Sequence, residues 1–138
     1  MTDKTHLLDA NILIRYFTND DPKKAERCEA LFKKVAAGKE KILLNHLTIA
    51  EVVWVLESAY TFGKDAIVDS LLRVFNTPNI VIPDADLILT TFSVWRLSGY
   101  KIDYMDAYNA AWIITNDLPG IYSYDRDFDK IDISRKEP

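Results

Sequence analysis

One cysteine, two histidines and four glycines are all that this 138-residue chain holds of the residues that mark many enzyme classes. The lone Cys28 excludes an internal disulfide and any zinc cage built from cysteines. Lying between Arg27 and Glu29 in a predicted helix, it reads as an inert packing residue. His6 and His46 are too few and too isolated for a zinc site and read as structural. No two glycines are adjacent, so there is no Gly-rich phosphate loop, and no Ser–His–Asp or Cys–His arrangement is found. Most covalent hydrolases and nucleotide-dependent enzymes are thereby excluded. No apolar run approaches the roughly 20 residues of a membrane span. Met1-Thr2-Asp3-Lys4 lacks a basic segment leading into an apolar stretch, so no signal peptide is expected. These absences predict a soluble, cytoplasmic protein with no membrane partner.

What is present is an ordinary globular composition, 49% hydrophobic and 28% charged, long enough for one domain with a real core. The net charge of −4 runs against a protein that grips nucleic acid only by neutralising phosphates. Two features soften the objection. A divalent cation bound to clustered acids reverses the local sign. Lys23, Lys24, Arg27, Lys33, Lys34, Lys39 and Lys41 also fall in one stretch, readable as an RNA-binding face or as a solvated helix face interspersed with Glu26 and Glu29.

Short apolar runs alternate with longer amphipathic stretches, without internal repeats or linkers. The pattern predicts an α/β fold with parallel strands joined by helical crossovers. Strands are expected at Thr5–Asp9, Lys41–Leu44, Ile80–Ile82 and Ile121–Ser123. Helices are expected at Ile12–Phe17, Pro22 to about Ala37, Thr48–Tyr60, Lys64–Phe75, from Asp84 or Asp86 to near Gly99, and Asp103–Asn116. Asp21 is placed to cap the second helix with Pro22 in its first position. In the last helix Tyr104, Ala107, Tyr108, Ala111, Trp112 and Ile114 recur at helical spacing.

Four carboxylates, Asp9, Glu51, Asp106 and Asp125, stand where strands end or helices begin. In a parallel sheet such positions converge at one edge, and a central first strand would aim Asp9 at the ligand crevice. Hard divalent cations such as Mg2+ or Mn2+ are the natural guests of clustered carboxylates, which makes metal-assisted phosphodiester chemistry the leading reading. Each acid also has a plainer role. Asp9, with Asn11 behind it, suits an N-cap. Thr48-Ile49-Ala50-Glu51 has the form of a capping box, with Thr48 as cap and Glu51 reaching back. Asp103 and Asp106, three apart, suit the positive end of a helix, with Asp103 an auxiliary to Asp106. Asp125, Asp127 and Asp129 alternate, but the segment lacks the Gly and Glu of an EF-hand loop. Asp125 is nearest the strand, and Asp127 is its substitute.

Four segments carry a family resemblance: Leu8-Asp9-Ala10-Asn11-Ile12-Leu13, Leu47-Thr48-Ile49-Ala50-Glu51, Asp103-Tyr104-Met105-Asp106-Ala107 and Ser123-Tyr124-Asp125-Arg126-Asp127-Phe128. Each is weak alone, but their order and spacing in so short a chain resemble the PIN domain, and the single-domain format resembles VapC-type toxins of prokaryotic toxin–antitoxin pairs. The resemblance covers essentially the whole chain. It implies a three-layer α/β/α fold around a parallel sheet, Mg2+- or Mn2+-dependent endoribonuclease activity, a homodimer, and inhibition by a cognate antitoxin protein. Carried over by position, Asp9, Glu51, Asp106 and Asp125 match the acidic quartet, and Asn11 and Thr48 the polar residues beside it. Ser123 stands where relatives often have Thr.

The expected reaction is hydrolysis of an RNA phosphodiester by a metal-activated water. The alternative from another class is a non-catalytic PIN-like module binding RNA or protein, its acids serving only as caps. A phosphoacceptor receiver domain fits poorly, because it needs two adjacent acids early and a Lys after a late strand, whereas Lys101 precedes a helix. Trp54 and Tyr60 are the expected surface aromatics for an antitoxin or second copy, and Trp112 is expected in the core.

Overall fold

Short, mostly apolar runs form all the strands but the last, and the longer amphipathic stretches form the helices. The computed structural model describes residues 4–138. The chain divides into two compact units, Met1–Pro83 and Asp84–Pro138.

The first unit runs β1 (Thr5–Leu7), α1 (Ala10–Phe17), α2 (Pro22–Ala36), β2 (Lys41–Leu43), α3 (His46–Ser58), α4 (Lys64–Phe75) and β3 (Ile80–Val81). The three strands form one parallel sheet in the order β1-β2-β3. The expected α/β class with parallel strands is therefore present. Within this sheet β1 stands at one end of the order rather than centrally, because both helical crossovers step in the same direction. α2 starts as expected: Asp21 Oδ1 accepts from the Lys24 amide at 3.2 Å, and Pro22 opens the helix. Gly38, at φ +80°, takes the left-handed turn that closes it. The lysine-rich face of α2 is solvated, with Lys24 paired to Asp21 and Lys33 to Glu29. The core gathers Leu13, Val35, Leu44, Ile49, Val52, Leu56, Ile67 and Leu71, all fully buried. Cys28 is buried among them as a free thiol, its pKa raised by burial, in keeping with an inert role.

Register matters most for function. Leu7 pairs with Leu43, and the chain bonds on from the Leu8 amide to the Leu43 carbonyl. Asp9 and Asn45 each lie two residues beyond that pair, and each caps a helix: Asp9 caps α1 and Asn45 caps α3. Two helix N-termini thus start at the same edge of the sheet. The capping box expected at Thr48 and Glu51 is not formed. Asn45 takes the cap, its side chain accepting from the Thr48 amide at 2.9 Å, and α3 begins two residues earlier than expected. Glu51 therefore falls in the second turn, beyond the reach of a capping glutamate.

The second unit comprises α5 (Ala85–Leu97), α6 (Tyr104–Thr115), β4 (Ile121–Tyr122), a 3-10 helix (Arg126–Lys130) and β5 (Arg135–Lys136). α5 packs on α6, where Ala107, Ala110 and Ala111 keep the approach close around a fully buried Trp95. The Trp95 indole donates to the Ile102 carbonyl at 2.9 Å. The face of α6 is rotated from the expected one: Trp112 and Ile114 are exposed, while Ala110 and Ile113 are buried. Trp112 instead meets Tyr108 edge-on. β4 and β5 pair in parallel, Ile121 with Arg135 and Tyr122 with Lys136. Gly120 permits this, since a Cβ there would overlap the Ser134 carbonyl oxygen that accepts from the Ile121 amide. The loop between these two strands carries Asp125 and Asp127. No helix among the described residues is long and apolar enough to cross a membrane.

Candidate active site

The expected acids form two groups, one in each unit. In the first unit a cavity of about 240 Å3 is lined by Asp9, Asn11, Ile14, Arg15, Glu51, Val55 and Tyr60. The sheet register explains it. Asp9 enters as the α1 cap, its Oδ2 3.4 Å from the Asn11 amide, and Glu51 enters from the second turn of α3, the neighbouring helix. Asn11 and Arg15 are four apart on α1 and so share its face. Glu51 is exposed and makes no hydrogen bond or ion pair among the described residues. Thr48 is not among the lining residues, and its part is the backbone amide given to Asn45.

Arg15 is the one base in that cavity, and sequence reading missed it. Its Nη1 donates to Asp20 Oδ1 at 3.0 Å. The Thr18 hydroxyl, its one proton shared between the Ile14 carbonyl at 2.8 Å and the same Asp20 oxygen at 2.9 Å, adds to this, and the Tyr60 hydroxyl donates to Asp20 Oδ2 at 2.6 Å. Tyr60, Thr18 and Arg15 together hold the Asp20 carboxyl down at about 2, while Asp20 raises the Tyr60 phenol. The spacing of Asn11 and Arg15 was a usable signal for Arg15. Nothing local links Tyr60 to Asp20 across 40 residues.

In the second unit Asp106, Asp125 and Asp127 offer carboxylate oxygens lying within 4.8 Å of one another. Asp103 is not part of this trio. It caps α6, its Oδ1 accepting from the Asp106 amide at 2.9 Å, and so fixes the turn that carries Asp106. Asp125 caps the 3-10 helix, accepting from the Asp127 amide at 2.9 Å, and its own amide donates to Ser123 Oγ at 2.9 Å. Two other acids of this loop are engaged by bases. Lys130 Nζ lies 2.7 Å from Asp127 Oδ1, and Arg135 binds both oxygens of Asp129 at 3.1 Å. Asp125 makes no ion pair among the described residues, although Lys130 lies near enough to feel its charge, which leaves its carboxylate more available than that of Asp127.

Asp106 is the most unusual of the acids. Only 8% of it is exposed, and its Oδ2 is buried without a hydrogen-bond partner among the described residues. The first turn of a helix favours a carboxylate. Burial, then the charges of Asp103 and Asp125, outweigh that and push its pKa up to about 6. An orphaned buried carboxylate oxygen facing two further carboxylates is an unstable arrangement until a cation meets it. The donor set, all oxygen and all anionic, suits a hard divalent ion such as Mg2+ or Mn2+.

No curated relative matches the chain in sequence. Among solved structures, it is similar to a toxin of Mycobacterium tuberculosis, VapC20, described as cleaving the sarcin-ricin loop. The two are 16% identical over 97% of this chain and 99% of that one, with a TM-score of 0.40. The PIN domain family model matches residues 6–134, nearly the whole length. The chain belongs to the PIN domain family.

Proposed function

We propose that this protein is a divalent-metal-dependent endoribonuclease, the toxin of a type II toxin–antitoxin pair, acting in the cytoplasm. Asp9, Glu51, Asp106 and Asp125 are its catalytic carboxylates, and Mg2+ or Mn2+ is its cofactor. The observation that carries this reading is the buried, unpartnered oxygen of Asp106 beside Asp125 and Asp127. The non-catalytic alternative needs acids that only cap helices. Asp103 already caps α6 and Asn45 already caps α3, so neither Asp106 nor Glu51 is left a capping role.

When bound, a divalent ion supplies an acidified water and polarises the phosphate. Asp106 and Asp125 would hold it, with Asp127 aligned by Lys130 as an auxiliary. Asp103 orients Asp106 through its backbone amide. Asp9 would present a further carboxylate on the rigid start of α1. The Glu51 side chain, without a hydrogen bond or ion pair among the described residues, would take a proton from water or share in metal binding. Asn11 stands on the Asp9 turn to orient that carboxylate, and Thr48 supports it only through the helix cap.

Chelation with EDTA is expected to abolish cleavage of a single-stranded RNA, and Mn2+ at millimolar concentration to restore it. Mn2+ should also raise the melting temperature, because an ion that binds only the folded state stabilises it. RNA binding without cleavage, together with a melting temperature indifferent to Mn2+, would favour the binding module.

Association is the second part of the proposal. Leu47 and Trp54, seven apart on one side of α3, are 79% and 69% exposed. Large apolar side chains left in water on one helix face suit a protein partner, here a second copy or the antitoxin. Tyr60, the other aromatic expected at the surface, is half-buried and engaged by Asp20. Multi-angle light scattering at micromolar concentration should give the mass of two chains, and a monomer mass would rule the homodimer out.

A further inference from the structure

We propose that Arg15 binds the RNA phosphate backbone in the cavity of Asp9 and Glu51, and that Asp20, Tyr60 and Thr18 form a latch that aims it there. The proposal rests on the ribonuclease reading and names how that site takes its substrate.

A cavity bearing Asp9 and Glu51 repels a phosphodiester, and Arg15 is the one base on its wall. A guanidinium has five N–H donors in a planar fork suited to phosphate oxygens. Only Nη1 is engaged by the protein among the described residues, leaving the rest of the fork open. The Arg15–Asp20 pair has side chains 33% and 43% exposed, where an ion pair adds little to stability. Its worth lies in orientation. Asp20 is itself held at both oxygens, by Thr18 from the end of α1 and by Tyr60 from just beyond α3. The latch therefore ties together the far ends of the two helices that bear Asp9 at the cap of one and Glu51 in the second turn of the other. An arginine tethered at one nitrogen and open at the others is preorganised for a second, anionic partner. The plain alternative is that the four residues merely fasten the loop after α1 to the end of α3.

Binding of a short single-stranded RNA, read by fluorescence anisotropy in EDTA so that no cleavage occurs, separates the two. Arg15→Gln should weaken binding roughly tenfold at low salt and reduce the slope of log affinity against log salt by about 0.7, one phosphate contact on a single strand. Arg15→Lys should restore most of the slope, since the charge remains. Tyr60→Phe should keep the slope but weaken binding severalfold, because the arginine is present but no longer held. A fastening role instead lowers the melting temperature in all three variants and leaves both affinity and slope unchanged, and that result overturns the proposal. Wild-type protein that neither binds nor cleaves RNA would bring down the ribonuclease reading itself. Wild-type binding with an unchanged slope in Arg15→Gln would bring down this inference alone.

Discussion

Asp106→Asn is expected to abolish RNA cleavage and, at the same time, to make the metal-free protein more stable at pH 8. The two effects share one cause. In the folded chain the Asp106 carboxyl keeps its proton up to about pH 6, because it is buried beside Asp103 and Asp125. Unfolded, it loses that proton near pH 4, as an ordinary aspartate does. Between those values the folded state holds the extra proton, so raising the pH through this window costs stability. Above about pH 6 the full cost is present, on the order of 2–3 kcal/mol for a shift of this size. Asparagine is neutral and removes it. Melting curves should therefore show the variant gaining several degrees at pH 8 and little or nothing at pH 3.5. Mn2+ should stabilise the wild type much more than the variant, whose site has lost its buried charge. A folded Asp106→Asn protein that cleaves RNA at the wild-type rate would end the assignment.

Glu51→Gln should lower cleavage by roughly 10²–10⁴-fold, the range expected for loss of a positioned acid–base or ligating carboxylate, with the melting temperature nearly unchanged. The structure separates these outcomes more cleanly than the sequence does. As a capping-box member, Glu51 would bond the backbone, and Gln would preserve much of that. In the second turn of α3 its side chain bonds nothing among the described residues, so exchanging it for an equally good helix former alters stability by no more than about 0.5 kcal/mol. Asp9→Asn makes a companion, since asparagine caps α1 as well as aspartate does. Its helix should persist while activity falls. If Glu51→Gln retains full activity in saturating Mn2+, Glu51 leaves the catalytic set, and the claims for Asp9 and Asp106 stand on their own variants.

Much of the fold was legible because its punctuation is local. Asp21-Pro22 starts α2, Gly63 precedes α4, and Pro119-Gly120 breaks the chain before β4, each acting through residues next to it. Errors arose where two local signals competed. Asn45 and Thr48 are both good caps three residues apart, and a glutamate three beyond Thr48 completed a persuasive but unused box. β5 was missed because Arg135-Lys136 has no apolar alternation. It is a strand only because β4 lies beside it.

The sequence by itself determined the α/β class and the helices that carry most of the candidate acids, since helix caps and apolar periodicity depend on neighbours within a few residues. Tertiary structure alone decided what each acid is able to do. Burial of Asp106 on α6 and the charges of Asp103 and Asp125 raise its proton affinity, while the outward face of the same helix leaves Trp112 in water. Folding of the 126–136 segment pairs Lys130 with Asp127 and Arg135 with Asp129, and leaves Asp125 with no ion pair among the described residues. Parallel pairing of Leu7 with Leu43 sets α1 beside α3, so that Asp9 and Glu51 share a cavity and Tyr60 reaches Asp20. Charge state and ligand access depend on groups distant in the chain, and no window of sequence contains them.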